Sequence, residues 1–256
     1  MSPPSTLQRG RPTLIAHRGA SDRYPENTMV AYQAAVDAGA KFVELDVQLA
    51  SDLVPIVHHD QDLTRMTGTV ADLTQMISAE VLKLPGSYPE RFGSQFSDNP
   101  LASLSEFVHW ISQYPDVTVF VEIKRQSVEV FGADRTATSV IDIIRPIGKQ
   151  AVVISFDRSV LVSVRSIAPQ IPIGWVLREY NDENHRHAER LEPEYLFCKT
   201  TRIPLDRKVW PGDWQWVLYN TDTVNEAMDF YESGFDMLET NRIVDLLGSN
   251  EFCEHE

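Results

Sequence analysis

The stretch KFVELDVQL (41–49) sets Glu44 and Asp46 two residues apart. Alternate side chains of a strand share a face, so Phe42, Glu44, Asp46 and Gln48 point one way. Val43, Leu45, Val47 and Leu49 point the other. Neighbouring carboxylates in a dry interior repel each other and lose hydration, which a shared proton or a cation relieves. One divalent cation with oxygen ligands, Mg²⁺ or Ca²⁺, answers that need, and an amphipathic strand with a wet face is the plainer alternative. VTVFVEIK (117–124) repeats the pattern, with Phe120, Glu122 and Lys124 on one face. Alone it reads as a salt-bridged Glu/Lys pair. Beside Glu44 and Asp46 it offers a third carboxylate for an oxygen site.

Two further apolar runs end in imidazoles. TLIAH (13–17) leads into Arg18 and Gly19, and PIVHH (55–59) ends in His58-His59-Asp60. Alternation turns only one of the adjacent histidines inward. Arg18 brings a planar donor fork suited to phosphate oxygens. Glu26 either orients Arg18 or favours the N-terminus of the following helix, and Gly19 is expected to let the backbone turn close to a substrate. A metal, two histidines and basic groups suit cleavage of a phosphodiester, one imidazole taking a proton and the other giving one. Lys199, sharing a face with Tyr195 and Phe197, offers a second positive charge or a solvated strand end. Trp216 and Asn220 share a face of WQWVLYN (214–220), and Phe156 ends AVVISF (151–156). These four are read as substrate contacts, against core packing as the alternative.

The elements that must hold these residues alternate along the chain. Strands are expected at 13–17, 41–49, 117–124, 151–156, 172–177, 194–199, 214–220 and 235–239, with 55–59 continuing or pairing beside the second. Helices are expected over 27–38, 103–113, 134–147, 157–168, 183–190, 222–233 and 241–247. Residues 60–100, rich in Pro, Gly and Ser toward their end, interrupt the rhythm and read as an insertion. Eight strands alternating with helices in 256 residues predict a (β/α)₈ barrel, α/β in class. A doubly wound sheet would call for a GxGxxG after the first strand, which is missing. The expected layout is a loose lead over 1–12, one catalytic barrel over 13–248 and a tail over 249–256. Catalytic residues of such barrels sit at the C-terminal ends of the strands. The formal charge of −14 argues against nucleic acid and against an anionic membrane surface. Two cysteines, Cys198 and Cys253, suggest neither a disulfide framework nor a zinc cluster. No leader or membrane-length apolar run is read, so the expectation is a cytoplasmic chain acting on a small molecule.

HRG (17–19), PENT (25–28), VELDVQL (43–49), VHHD (57–60) and VEIK (121–124) occur in one order and spacing. With them the chain resembles the glycerophosphodiester phosphodiesterases of the PLC-like phosphodiesterase superfamily. The likeness continues through Ser155-Phe156, Lys199, Trp216 to Asn220 and the segment 234–241. It implies a TIM barrel with a small insertion after the second strand, and divalent-metal hydrolysis of glycerophosphodiesters to sn-glycerol 3-phosphate and an alcohol. It implies His17 and His59 as the acid/base pair, Glu44, Asp46 and Glu122 as metal ligands, Arg18 at the phosphate and Lys124 near the metal. Two alternatives stay open, a lysophospholipase D-type hydrolase of the same superfamily and a non-catalytic metal-binding barrel. The likeness breaks at two places. The usual Asp-Gly after the second strand is Asp52-Leu53, and the common Thr-Asp near the end is Thr240-Asn241. Neither is expected to touch the catalytic set, so both are read as bearing on local geometry more than on activity. Leucine tolerates positive φ poorly, so the first turn is expected to differ.

Overall fold

A computed structural model of the chain describes residues 10–206 and 208–252. Most of the lead over 1–12, the last residues of the tail and Cys253 lie outside them.

Nine strands form one sheet: β1 (Thr13–His17), β2 (Phe42–Leu49), β3 (Pro55–Val57), β4 (Thr118–Ile123), β5 (Ala151–Ser155), β6 (Ile173–Leu177), β7 (Tyr195–Lys199), β8 (Gln215–Tyr219) and β9 (Met237–Thr240). Eight of them run parallel and close on themselves, because β1 pairs with both β2 and β9. Helices lie between most of the strands, so the fold is a (β/α)₈ barrel. The ninth strand, β3, folds back antiparallel against the end of β2, pairing Val57 with Val47.

Alternation sorts the apolar residues into two layers. Ile15, Phe42, Phe120, Val152, Ile154, Val176, Tyr195, Phe197, Val217 and Met237 fill the lumen. Leu14, Val43, Leu45, Val119, Val121, Val153 and their neighbours pack outward under the helices. Burial on both faces makes each parallel strand read as a nearly continuous apolar run. The charged residues of the lumen face, Glu44, Asp46, Glu122 and Glu239, lie toward the mouth where the lumen opens.

Helix starts carry the expected chemistry. Before helix Leu104–Ile111, Ser103 Oγ accepts from the Glu106 N–H, while Glu106 Oε2 accepts from the Ser103 N–H. Asp157 caps helix Arg158–Ile167 through the N–H groups of Ser159 and Val160. Thr28 caps helix Met29–Asp37 by backbone geometry only, its hydroxyl donating instead to the Pro25 carbonyl. Residues 58–102 carry four short helical turns and a small apolar cluster of their own around Ile56, Leu63, Leu73 and Leu101. Among the described residues no helix is long and apolar enough to cross a membrane.

Two expectations about turns are corrected. Leu53 adopts φ 65° despite its side chain, so the turn after β2 keeps the left-handed conformation that glycine would favour. Gly19, at φ +81°, serves the helix rather than a substrate. A Cβ there would lie 2.6 Å from the backbone carbon of Ala31.

Candidate active site

At the C-terminal mouth of the barrel a cavity is lined by His17, Arg18, His59, Glu122, Lys124, Phe156, Tyr219, Asn220 and Glu239, with Ile154, Val176 and Phe197 among its apolar walls. Beside it, oxygens of Glu44, Asp46 and Glu122 lie within 4.8 Å of one another, all three residues buried. Register explains the grouping, since Asp46 of β2 stands opposite Glu122 of β4 and His17 of β1 opposite Glu44.

Asp46 is the most tightly held of the three. Lys124 Nζ donates to its Oδ1 at 3.1 Å, Arg18 Nε lies 2.9 Å from Oδ2, and Asn27 Nδ2 donates to Oδ2 at 2.8 Å. Burial alone would raise the Asp46 pKa, but Arg18 and Lys124 hold it well below the usual carboxylate range. Lys124 also donates to Glu122 Oε1 at 2.7 Å. Glu44 differs. Its Oε2 accepts the Arg18 backbone N–H at 3.2 Å, while its buried Oε1 has no partner. Burial, then the charges of Asp46 and Glu239, push its pKa well up. A cluster of hard oxygen donors with an orphaned buried oxygen fits a divalent cation.

Each imidazole is fixed through Nδ1. Asn241 Nδ2 donates to Asp222 Oδ2 at 2.9 Å, which leaves Asn241 Oδ1 as an acceptor. That oxygen lies 2.9 Å from His17 Nδ1, where it can accept a ring proton, the tautomer in which Nε2 is the free basic nitrogen. Nε2 stands 3.9 Å from Glu44 Oε2. Asn220 Nδ2 lies 2.7 Å from the same Nδ1 and donates to Asn241 Oδ1 at 3.4 Å. Burial, then the Arg18 charge, lowers the His17 pKa to about 4, so the ring is neutral at pH 7. On the other side His59 Nδ1 lies 2.6 Å from Asp60 Oδ1. Asp60 Oδ2 accepts from Arg65 Nε at 2.7 Å, and Arg65 Nη2 donates to Glu26 Oε1 at 2.8 Å. Arg18 Nη1 donates to the same Glu26 oxygen at 2.9 Å. Glu26 therefore ties both arginines together, burial being outweighed by the Arg65 hydrogen bond and the Arg18 charge, which keep its carboxyl low. Arg18 itself sits at φ 60°, where its N–H meets both the backbone and the side chain of Glu44.

Not every expected contact enters the cavity. Trp216 faces the outer layer, where its Nε1 donates to the Trp210 carbonyl and its ring packs on Tyr180, Trp210 and Phe235. In an all-apolar strand buried on both faces the lumen face is not marked, and here Val217 and Tyr219 occupy it. Asn220 reaches the cavity because it lies one residue past β8, where the alternation has ended. Lys199 is exposed at the end of β7 and does not line the cavity, whereas Phe156 does. The sequence reading missed Tyr219, Glu239, Asn241, Asp222, Asn27, Asp60 and Arg65 as parts of the site. Glu239 had the same signal as Glu122, an acidic residue on the inward face at a strand end. Asp60 and Tyr219 are chain neighbours of His59 and Asn220, while Asn241, Asp222, Asn27 and Arg65 are joined to the site by tertiary contacts.

The glycerophosphoryl diester phosphodiesterase family profile matches residues 17–203. A glycerophosphodiester phosphodiesterase of Caldanaerobacter subterraneus subsp. tengcongensis is 32% identical over 161 residues, covering 63% of this chain and 65% of that protein. Mouse glycerophosphodiester phosphodiesterase 1 is 35% identical over 116 residues, 45% of this chain and 35% of its own length. The matched stretches thus span less than two thirds of these relatives. A solved phosphodiesterase of Oleispira antarctica, in complex with the product sn-glycerol-3-phosphate, superposes with a TM-score of 0.81 at 24% identity, covering 92% of this chain and 95% of that one. With the profile spanning well over half of its length, the chain belongs to the glycerophosphoryl diester phosphodiesterase family.

Proposed function

We propose that this barrel hydrolyses glycerophosphodiesters to sn-glycerol 3-phosphate and an alcohol with the help of one Mg²⁺ or Ca²⁺. The observation that carries the reading is the convergence of the Glu44, Asp46 and Glu122 oxygens beside a cavity lined by both His17 and His59. Glu44, Asp46 and Glu122 would hold the cation, which when bound neutralises charge on the phosphoryl oxygens. Arg18 and Lys124 add positive charge at the cavity wall, where a phosphodiester would sit. His17, neutral and with Nε2 free, removes the proton of the attacking glycerol hydroxyl. His59, held through Nδ1 by Asp60, protonates the leaving alkoxide. The glycerol oxygen bonds to phosphorus as the alcohol leaves, giving a cyclic phosphate. Water, deprotonated by His59, then opens it while His17 returns its proton to the departing glycerol oxygen. The −14 charge suits a dissolved diester in the cytoplasm better than an anionic membrane surface.

Chelation followed by metal return tests the cation, with release of sn-glycerol 3-phosphate from glycerophosphocholine expected to vanish and then recover. His17→Ala and His59→Ala are each expected to lower kcat by about 10³-fold or more with the circular dichroism spectrum intact. Turnover that survives either substitution would remove that histidine from the chemistry. Faster hydrolysis of a lysophospholipid than of its deacylated counterpart would favour the lysophospholipase D alternative.

A further inference from the structure

Glu239 is the one carboxylate lining this cavity that neither the carboxylate cluster nor the cations take up. It sits on β9 in register with Ile15, only 3% exposed, and its buried Oε1 has no hydrogen-bond partner. Lys124 donates to Asp46 and Glu122, and the Arg18 side chain engages Glu26 and Asp46. The same cavity also has Ile154, Val176, Phe197 and Tyr219 in its wall, and the charges of Arg18 and Lys124 reach Glu239 only at a distance, with no hydrogen bond to it among the described residues.

A buried carboxyl without a partner is costly and is met when a ligand brings one. Phosphoryl oxygens are acceptors and cannot pair with a carboxylate, and an aliphatic group offers nothing. A hydroxyl donates to a carboxylate and accepts from a carboxylic acid, so it suits either form of the residue. On the reading of the site given above, we propose that Glu239 binds the glycerol hydroxyl that takes no part in the reaction, the one farthest from the phosphate. Glu239 is then a specificity residue, selecting a free polyol over a deoxy or O-acylated glycerol. An acyl ester at that position would remove the donor and press a chain against the carboxyl, which weighs against lysophospholipid substrates.

Calorimetry on the metal-loaded protein tests this without turnover. Wild type is expected to bind sn-glycerol 3-phosphate about 10- to 100-fold tighter than its 1-deoxy analogue. Glu239→Leu brings that ratio toward one, and Glu239→Gln, which still presents an acceptor, retains part of it. The same collapse is expected in the kcat/KM ratio of glycerophosphocholine to its 1-deoxy counterpart. A wild-type ratio near one, or a full ratio retained by Glu239→Leu, overturns the proposal. So does a tenfold or greater weakening of Mg²⁺ or Ca²⁺ affinity in Glu239→Leu, which would make the residue a metal ligand. Intact discrimination in binding with no hydrolysis of either diester would instead support Glu239 as a hydroxyl site and overturn the hydrolase reading alone.

Discussion

The two imidazoles at the barrel mouth are held by unlike means. His17 leans on a neutral amide, Asn241, which is itself turned by Asp222, and the ring is nearly buried. His59 leans directly on a carboxylate, Asp60, inside a chain of charges that runs through Arg65 and Glu26 to Arg18, and it stays about a third exposed. The Asn241 hydrogen bond favours the imidazolium only weakly, and burial and the Arg18 charge outweigh it, leaving the basic, uncharged ring. A carboxylate partner holds the His59 ring through a charged hydrogen bond. The contrast is what supports the proposed division of labour between the two histidines.

Asn241→Leu is the hardest test of the contrast. It strips the Nδ1–H of its fixed acceptor and frees the ring to protonate on Nε2, so kcat is expected to fall about 10²- to 10³-fold. A loss under tenfold would mean that Asn220 orients the ring unaided. The neighbouring His58 separates burial from chemistry. Burial lowers its pKa to about 4 from 6.5, so between those values the unfolded chain binds more protons than the folded one. The His58 contribution is complete above pH 6.5 and is lost as pH falls toward 4, by about 3 kcal/mol at most. Denaturant titrations of His58→Phe at pH 7 and pH 4.5 are expected to show a shallower acid loss than wild type, and equal slopes would break the account. Asp60→Asn is expected to be the mildest, about a tenfold fall in kcat. Water reaches His59, about a third exposed, and replaces part of the lost hydrogen bond more readily than at His17. An Asp60 effect larger than that of Asn241 would reverse the comparison.

Much of the barrel is legible in the alternation of apolar runs, because a parallel strand ends where polar residues begin. KFVELDVQL is the clearest case, its carboxylates and its aliphatic residues falling on opposite faces. WQWVLYN fails for the same physical reason. Both of its faces are buried and apolar, so nothing in the run says whether Trp216 or Val217 looks inward. The metal-type carboxylates are visible because each breaks the apolar run on the inward face of its strand. The groups that orient the histidines are not, since Asn241, Asp222 and Arg65 reach them across the fold from loops and a short helix. Asn241 in particular stands where the family resemblance leads one to expect Asp, and sequence alone reads that change as local geometry. In the structure it decides the charge of the group behind His17.

The closure of β1 on β9 has a consequence for synthesis. By residue 122 a chain leaving the ribosome has all three clustered carboxylates and both histidines. Yet His17 and its partner Asn241 are 224 positions apart, and that contact forms only when the last strand zips onto the first. A nascent or C-terminally clipped chain can therefore gather its clustered carboxylates without fixing the His17 ring through Asn241, so on the proposed function it is completion of the barrel that would make the site competent.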